Sequence, residues 1–327
     1  MILSPAAARV TPAPVATGAE QPLRTVVWRA LGTDCSLQFA CAEDARAEAF
    51  VRAAQAWVER FEARYSRFRP ESALSRINAA AGRDWVEVDA EMDQMLTLCG
   101  SVHFMTQGIL DVTALPLLRL WRFSDPAPRV PTREEVAAAQ RLVGWNKVRR
   151  EPCRVQLPLA GMALDFGGWG KEFAVDAVAQ LGIEHGLAAL LVDFGHDIRA
   201  VGQPPGRPAW HVGLEDPAAP GSARGSVAAV NVGIASSGDY QRGITIDGRR
   251  FGHIIDPRTG WPVANGCVQV TIVAPSCLQA GLLSTSAFVL GAEAGLRLIG
   301  ETYGTEGRIL TQRARHQSRG FYRYEVT

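Results

Sequence analysis

The sequence predicts an α+β fold, and 327 residues could form one large domain or two modest ones packed together. Three observations favour this class over a doubly wound sheet. The first half carries long segments with the apolar period of amphipathic helices, and the second half is dominated by short strand-like segments. Strands and helices are mixed without the regular alternation that parallel βαβ units require. The chain of 327 residues, 47% of them hydrophobic, has ample material for a buried core.

The first half predicts a hairpin followed by three helices. In order, these elements are a hairpin over 25–39, a helix over 43–65, a helix over 90–105 and a helix that begins at Thr132. In the first helix, Ala47, Phe50 and Ala54 recur on one face. Thr132 and Glu135 have the spacing of a capping box, so the third helix begins there.

The second half predicts several strands and one long helix. In order, these are strands over 187–194, 210–215, 227–235 and 268–274, a helix over 276–300 and a closing strand over 321–326. Segments 203–208 and 217–226 are rich in Pro, Gly and Ser, which is typical of surface loops. Residues 1–22 predict a disordered leader, and 23–327 predict a single folded domain.

Composition excludes some partner classes. The net charge is +1 and no basic run appears, which disfavours nucleic acid. No apolar stretch is long enough to predict a membrane span. The leader lacks the basic and apolar regions of a secretory signal, which favours the cytoplasm, or the periplasm if an export signal is missing. The six cysteines lack C-x-x-C spacing, so we expect structural thiols. Nothing in the sequence indicates an oligomeric state.

A glycine-rich segment from Leu164 to Glu172 precedes a predicted helix. Three glycines let the backbone approach a ligand, the start of a helix favours anions, and Lys171 would add a positive charge for a phosphate. The segment matches neither the P-loop nor the dinucleotide-binding pattern. By itself it is equally consistent with an ordinary turn before a helix.

Three further clusters carry candidate functional side chains. His253 lies three residues before the Asp256-Pro257 turn, and it could equally be a core histidine. Asp256 is explained structurally by turn formation. Ser237 and Gly238 follow a strand, where ligand contacts are common, and Asp111 could merely organise a turn.

The order of these clusters resembles one family from Leu31 to Gly291. The matching segments are 31–33, 72–78, 110–121, 165–176, 194–199, 237–240, 253–260 and 280–285. On these motifs the sequence resembles the FAD:protein FMN transferases, the ApbE-like flavin transferases. The resemblance implies a single two-lobed domain related to the T-fold, with an FAD cleft between the lobes.

The resemblance also implies functional residues. The implied FAD contacts are Phe68, Asn78, Ile109, Leu110, Asp111, Asp165, Lys171, Ser237, Gly238 and His253. The implied Mg²⁺ ligands are the Gly168 carbonyl, Ser284 and Thr285. His253 is the expected general base, and Asp256 is the second choice.

The implied reaction moves FMN from FAD to a Thr or Ser hydroxyl of an acceptor protein, with a short motif around that hydroxyl. A phosphoester forms and AMP leaves. Such transfer depends mainly on positioning and charge neutralisation. Two alternatives remain: a flavin-binding or carrier protein that has lost transfer, and an FAD pyrophosphate hydrolase.

The sequence departs from the family at three positions. His196 replaces a glycine of the family's Gly-Gly-Asp, and Glu172 replaces a glycine after Lys171. Gly281 stands where the family has its Mg²⁺-binding aspartate. We hypothesise that Glu172 partly replaces the lost charge, although it could instead pair with a surface cation. Gly281→Asp is expected to raise metal affinity if space permits.

Overall fold

A computed structural model describes residues 22–123, 125, 127–240 and 242–326. The helices are α1 (Asp44–Tyr65), α2 (Ala73–Ala79), α3 (Ala90–Met105), α4 (Leu115–Trp121), α5 (Arg133–Gln140), α6 (Gly170–Glu184), α7 (Cys277–Leu290) and α8 (Ala292–Glu301). Short 3-10 helices cover Val112–Ala114, Trp145–Lys147 and Phe321–Arg323. Apart from Pro22, the predicted leader lies outside the described residues.

The strands are mostly short. They are β1 (Leu23–Ala30), β2 (Thr33–Ala40), β3 (Val86–Glu87), β4 (Arg149–Glu151), β5 (Arg154–Gln156), β6 (Leu190–Phe194), β7 (Asp197–Val201), β8 (Trp210–Glu215), β9 (Ala223–Ala229), β10 (Gly233–Gly238), β11 (Gly243–Ile246), β12 (Arg249–Gly252), β13 (Ile255–Asp256), β14 (Trp261–Pro262), β15 (Cys267–Ala274), β16 (Glu306–Thr311), β17 (Arg315–Gln317) and β18 (Glu325–Val326).

An eight-stranded antiparallel sheet forms the centre, in the order β1-β2-β6-β7-β10-β15-β16-β17. Successive side chains of a strand point to opposite faces. Leu190 and Val192 of β6 therefore pack with α1 and α6, while Leu191 packs with Trp210 and Val227 of the β18-β9-β8 sheet. Both faces of the central sheet are covered, which explains why β6 is almost continuously apolar.

Several predicted elements are confirmed at close to their expected bounds. The hairpin is β1-β2, the strand predicted over 210–215 is β8, and the helices predicted over 43–65 and 90–105 are α1 and α3. Thr132 and Glu135 form the predicted capping box. The thiols are free, and all are buried except that of Cys153. No described helix has the length and apolar character needed to cross a membrane.

The single strand predicted over 227–235 is wrong. The chain turns at Asn231, whose φ is +54°, and β9 and β10 join different sheets on either side of it. The Asn231 side chain accepts a hydrogen bond from the amide of Gly202 at 2.8 Å, which stabilises the turn. Asparagine tolerates this left-handed conformation better than most residues, but the apolar run conceals the break.

Three other predicted boundaries need correction. The helix predicted over 276–300 is divided into α7 and α8 at Gly291, whose φ of +85° suits glycine. The strand predicted from Leu187 begins at Leu190, because the Leu187 amide bonds to the Gly182 carbonyl at the end of α6. Segment 321–326 is a 3-10 turn followed by the two-residue β18.

Candidate active site

The glycine-rich turn is held open by Asp165 at the start of α6. One carboxylate oxygen of Asp165 accepts the Gly167 amide at 3.0 Å, and the other accepts Arg67 Nε at 2.8 Å. The Asp165 amide donates to the Val112 carbonyl at 2.8 Å. Gly167 and Gly168 remain exposed, and α6 begins at Gly170. The turn therefore presents accessible backbone at a helix N-terminus, a favourable position for an anion.

Two distant segments lie against this turn. Leu110 is beside Gly168, because a Cβ built on Gly168 would lie 3.8 Å from Leu110 Cδ2. Asn78 clamps the segment that leads into the turn: its Nδ2 donates to the Leu164 carbonyl at 2.9 Å, and its Oδ1 accepts the Leu164 amide at 2.7 Å. The structure therefore brings together predicted FAD residues from three parts of the chain. The Asn78 amide group acts here as a structural clamp.

Arg67 is a residue that sequence reasoning missed. Its guanidinium lies 4.0 Å from the centre of the Phe68 ring while it pairs with Asp165. Phe68 is 77% exposed. A cation against one face holds an aromatic ring in place and leaves the other face free for stacking. The only sequence signal was that Arg67 adjoins a predicted flavin contact.

The carboxylate of Asp111 is used within the protein. It accepts the Thr113 amide at 2.8 Å, the Thr113 hydroxyl at 2.6 Å and the Trp145 amide at 3.0 Å. His103 Nδ1 lies 3.0 Å from its second oxygen, and only 3% of the Asp111 side chain is exposed. The turn role considered from the sequence is thus supported, and Asp111 positions the neighbouring Ile109 and Leu110 backbone.

Lys171 points into the protein. Its ammonium group forms an ion pair with Asp197 and donates to the carbonyls of Phe194 at 2.9 Å and Gly195 at 3.2 Å. Burial disfavours the charged amine, but attraction to Asp197 and Glu172 outweighs it, so the pKa of Lys171 is raised. Lys171 remains charged, and 29% of its side chain is accessible.

Helix α7 presents a row of oxygen atoms beside this ion pair. Gly281, Ser284 and Thr285 share one face, since residues three and four apart are neighbours on a helix. The Ser237 hydroxyl of β10 shares hydrogen bonds with Ser284 at 2.8 Å and Thr285 at 2.9 Å. The Ser284 hydroxyl also lies 3.1 Å from the Gly281 carbonyl. Ser237 therefore joins the predicted metal residues directly.

The carboxylate of Asp176 fixes helix α6 against α7. Asp176 accepts the amides of Cys277 at 2.9 Å and Leu278 at 2.8 Å, which are unpaired first-turn donors of α7. Glu172, one turn earlier on α6, lies against Gly281. Burial, with the charge of Asp197 added, raises the pKa of Glu172 to about 8, and Lys171 opposes this rise.

His253 and Asp256 occupy a separate turn after β12. Burial lowers the pKa of His253, and the positive charges of Arg242 and Arg250 lower it further. A hydrogen bond with the Arg242 backbone opposes this lowering but does not cancel it. The ring is therefore neutral at neutral pH, as a general base requires. The Asp256 carboxylate is engaged by the amide, Nε and Nη2 of Arg258, each at 2.9 Å. That engagement makes Asp256 the weaker candidate base.

Comparison with known proteins decides the family. The model of the ApbE family matches residues 31–309, which contain every predicted functional residue. The chain belongs to the ApbE family. The FAD:protein FMN transferase of Haemophilus influenzae is 32% identical over 246 residues, covering 72% of this chain and 71% of that protein. The FAD:protein FMN transferase of Klebsiella pneumoniae is 30% identical over 283 residues, covering 84% and 80%.

Solved ApbE structures confirm the predicted fold class. The ApbE protein of Thermotoga maritima superposes with a TM-score of 0.84 at 28% identity, covering 94% of this chain and all of that one. The apo flavinyl transferase ApbE of Pseudomonas stutzeri superposes with a TM-score of 0.82 at 26% identity, covering 93% and 96%. The α+β architecture of this chain is therefore that of the ApbE family.

The oxygen atoms beside α7 are suited to the Mg²⁺ that the family resemblance implies. Mg²⁺ prefers oxygen ligands and usually takes one or two carboxylates together with substrate phosphates and water. Ser284, Thr285 and the Gly168 carbonyl are oxygen donors of this kind. Among the described residues, no group of three His, Cys, Asp or Glu side chains could hold a metal ion. The protein's share of the ligands would therefore be mostly neutral.

Proposed function

We propose that this protein transfers FMN from FAD to a Thr or Ser hydroxyl of an acceptor protein. The observation that carries the proposal is the ApbE match over 31–309, together with relatives named FAD:protein FMN transferase. The geometry supports it, because an accessible helix N-terminus, an exposed aromatic ring and a neutral histidine supply the functions that phosphoryl transfer from a flavin nucleotide needs.

The residues proposed to bind FAD divide into two groups by what their side chains can reach. Phe68 offers an exposed ring, and Gly167 and Gly168 offer accessible backbone. Leu110 and Asp165 adjoin that glycine-rich turn, and Ile109 precedes Leu110 in the same proposed set. Ser237, Gly238, Lys171 and His253 complete the proposed set. Asn78 and Asp111 act by holding these segments, because their polar atoms are already bonded within the protein.

The proposed reaction is a displacement at the FMN-side phosphorus of FAD. The acceptor hydroxyl oxygen forms a bond to that phosphorus, the bond to the bridging oxygen breaks, and AMP leaves with the electron pair. His253 takes the hydroxyl proton. When bound by the Gly168 carbonyl, Ser284, Thr285 and Glu172, Mg²⁺ would neutralise negative charge on the pyrophosphate. Lys171 contributes positive charge to the same region.

One assay separates this function from its two alternatives. The protein is incubated with FAD, Mg²⁺ and an acceptor flavoprotein carrying a Thr/Ser flavinylation motif, and flavin and nucleotide products are resolved. Covalently flavinylated acceptor and released AMP are the expected result. Unchanged FAD that remains bound would indicate a carrier, and free FMN with AMP would indicate a pyrophosphate hydrolase. Hydrolysis would need only water as acceptor, so an acceptor-free control is included.

Other parts of the proposal concern cofactor preference and location. We expect FAD to bind more tightly than FMN, because the family resemblance implies that the Ile109–Asp111 segment contacts the adenine end of FAD; equal affinities in a titration would contradict that orientation. The motif on the acceptor, the single domain over 23–327 and the compartment, cytoplasm or periplasm, stay predictions.

A further inference from the structure

The side chain of Glu172 occupies the space that a side chain at position 281 would need. A Cβ built on Gly281 would lie 2.6 Å from both Cγ and Oε1 of Glu172 and 2.9 Å from its Cδ. Carbon atoms in real proteins do not approach this closely. Residue 281 must therefore stay a glycine while the Glu172 side chain keeps this position, and the two residues cannot both carry a carboxylate in this arrangement.

Position 281 shares a helix face with Ser284 and Thr285. The carboxylate of Glu172 reaches that same face from α6, where the hydroxyls of Ser237, Ser284 and Thr285 are already gathered. A carboxylate and several hydroxyl oxygens at one place form a donor set that suits a hard divalent cation. Glu172 therefore supplies this cluster with its acidic oxygen.

The charged groups next to Glu172 in the described part of the chain already have partners. Lys171 is paired with Asp197 and two carbonyl groups, and Asp176 is occupied by the first amides of α7. The surface-cation partner considered from the sequence is not what the structure places beside Glu172.

We infer that Glu172 is the metal-binding carboxylate of this protein, delivered from α6 into the space left free by Gly281. The inference rests on the proposed function for the role of the metal, but it concerns binding alone. It also corrects the expectation for Gly281→Asp: the added side chain meets Glu172, so metal affinity should not rise. Removing Glu172 at the same time makes the space available.

A double-mutant cycle tests whether the metal-binding carboxylate lies at position 172 and not at position 281. Mn²⁺ serves as the probe, and its free electron paramagnetic resonance signal is followed during titration of the full chain with FAD present. Glu172→Gln should weaken Mn²⁺ binding by roughly 10–100-fold, the usual effect of disturbing a metal site. The matched control is Glu184→Gln, an exposed glutamate on the same helix, which should leave binding unchanged.

The other variants of the cycle change position 281. Gly281→Asp alone should lower the melting temperature and fail to strengthen Mn²⁺ binding, while Glu172→Gly/Gly281→Asp should regain most of the wild-type affinity. Melting without metal shows that each variant is folded; Glu172→Gln should melt close to wild type, because glutamine has nearly the same size and shape as glutamate.

Two results would overturn the inference: unchanged Mn²⁺ affinity in Glu172→Gln, or a gain in affinity from Gly281→Asp with Glu172 still present. Transfer assays on the same samples keep the two proposals apart. Wild-type protein that binds Mn²⁺ through Glu172 but does not flavinylate an acceptor would count against the proposed function alone. Transfer with a Mn²⁺ affinity independent of Glu172 would count against this inference alone.

Discussion

Two regions of the site are held together by different kinds of contact. The α6–α7 region joins charges from distant parts of the chain: Lys171 with Asp197, and Asp176 with the first amides of α7. In the turn after β12 the candidate carboxylate is bonded locally: Asp256 bonds to Arg258, Thr259 and Gly260. Long-range hydrogen bonds reach this turn only at backbone carbonyls, from Trp121 to Gly260 and from Gln140 to Arg258. Buried long-range pairs are costly to break, whereas local exposed pairs contribute little.

Substitutions are therefore expected to act differently in the two regions. In the α6–α7 region a substitution disturbs packing, charge balance and any bound ion together. In the turn, a substitution can remove a reacting group and leave the fold intact. The five predictions below test this division, from the largest expected effect to the smallest.

His253→Ala should lower the transfer rate by roughly 10²–10⁴-fold, the usual contribution of a general base. The melting temperature and FAD affinity should change far less than the rate, because among the described residues His253 forms no ion pair that the substitution would break. The exposed His211→Ala provides the control. A large loss of stability with the loss of rate would show that the two regions do not differ as described.

The lowered pKa of His253 also predicts how the transfer rate depends on pH. Burial lowers the pKa of His253 from its usual 6.5, so the imidazole stays neutral, and able to accept a proton, below that pH. The transfer rate should therefore decline only as pH falls to values below 6.5. A decline centred above 6.5 would assign the proton to another group.

Lys171→Met should lower the free energy of unfolding by about 3 kcal/mol, the lower end of the range for breaking a buried pair. The lower end applies because 29% of the Lys171 side chain is accessible. Chemical denaturation measures the change. Lys171→Met/Asp197→Asn should cost less than the two single changes added together; strict additivity would mean that the pair is not coupled.

Asn78→Ala should cost about 2 kcal/mol of unfolding free energy, since it leaves the amide and carbonyl of Leu164 without partners. The exposed Asn146→Ala serves as the comparison in the same denaturation experiment. A weakened FAD affinity with unchanged stability would instead place the Asn78 amide on the flavin.

Asp256→Asn should have the smallest effect. The Asp256–Arg258 pair is local, so the unfolding free energy should fall by about 1 kcal/mol or less. Because Arg258 occupies the carboxylate, the transfer rate should change by less than roughly tenfold, below the usual contribution of a general base. A hundredfold loss of rate would transfer the role of base from His253 to Asp256.

The sequence by itself determined the features that depend on a few neighbouring residues. Three examples are the helical period of α1, the alternation of buried and exposed residues in β8 and the capping box at Thr132. Each pattern lies within a short stretch of sequence, so it can be recognised without knowledge of the fold. The ordered motifs likewise identified the ApbE family and its α+β class. The position of the candidate residues along the chain followed from the same motifs.

Only the tertiary structure decided what those residues touch. Arg67 meets Asp165 across 98 residues of chain, and Lys171 is turned towards Asp197 by the pairing of β6 with β7. The division of apolar runs at Asn231 and Gly291 depended on which sheet or helix each half could pack against. Gly281 and Glu172 are far apart in the sequence, and only the packing of α6 against α7 brings the Glu172 side chain into the space beside Gly281.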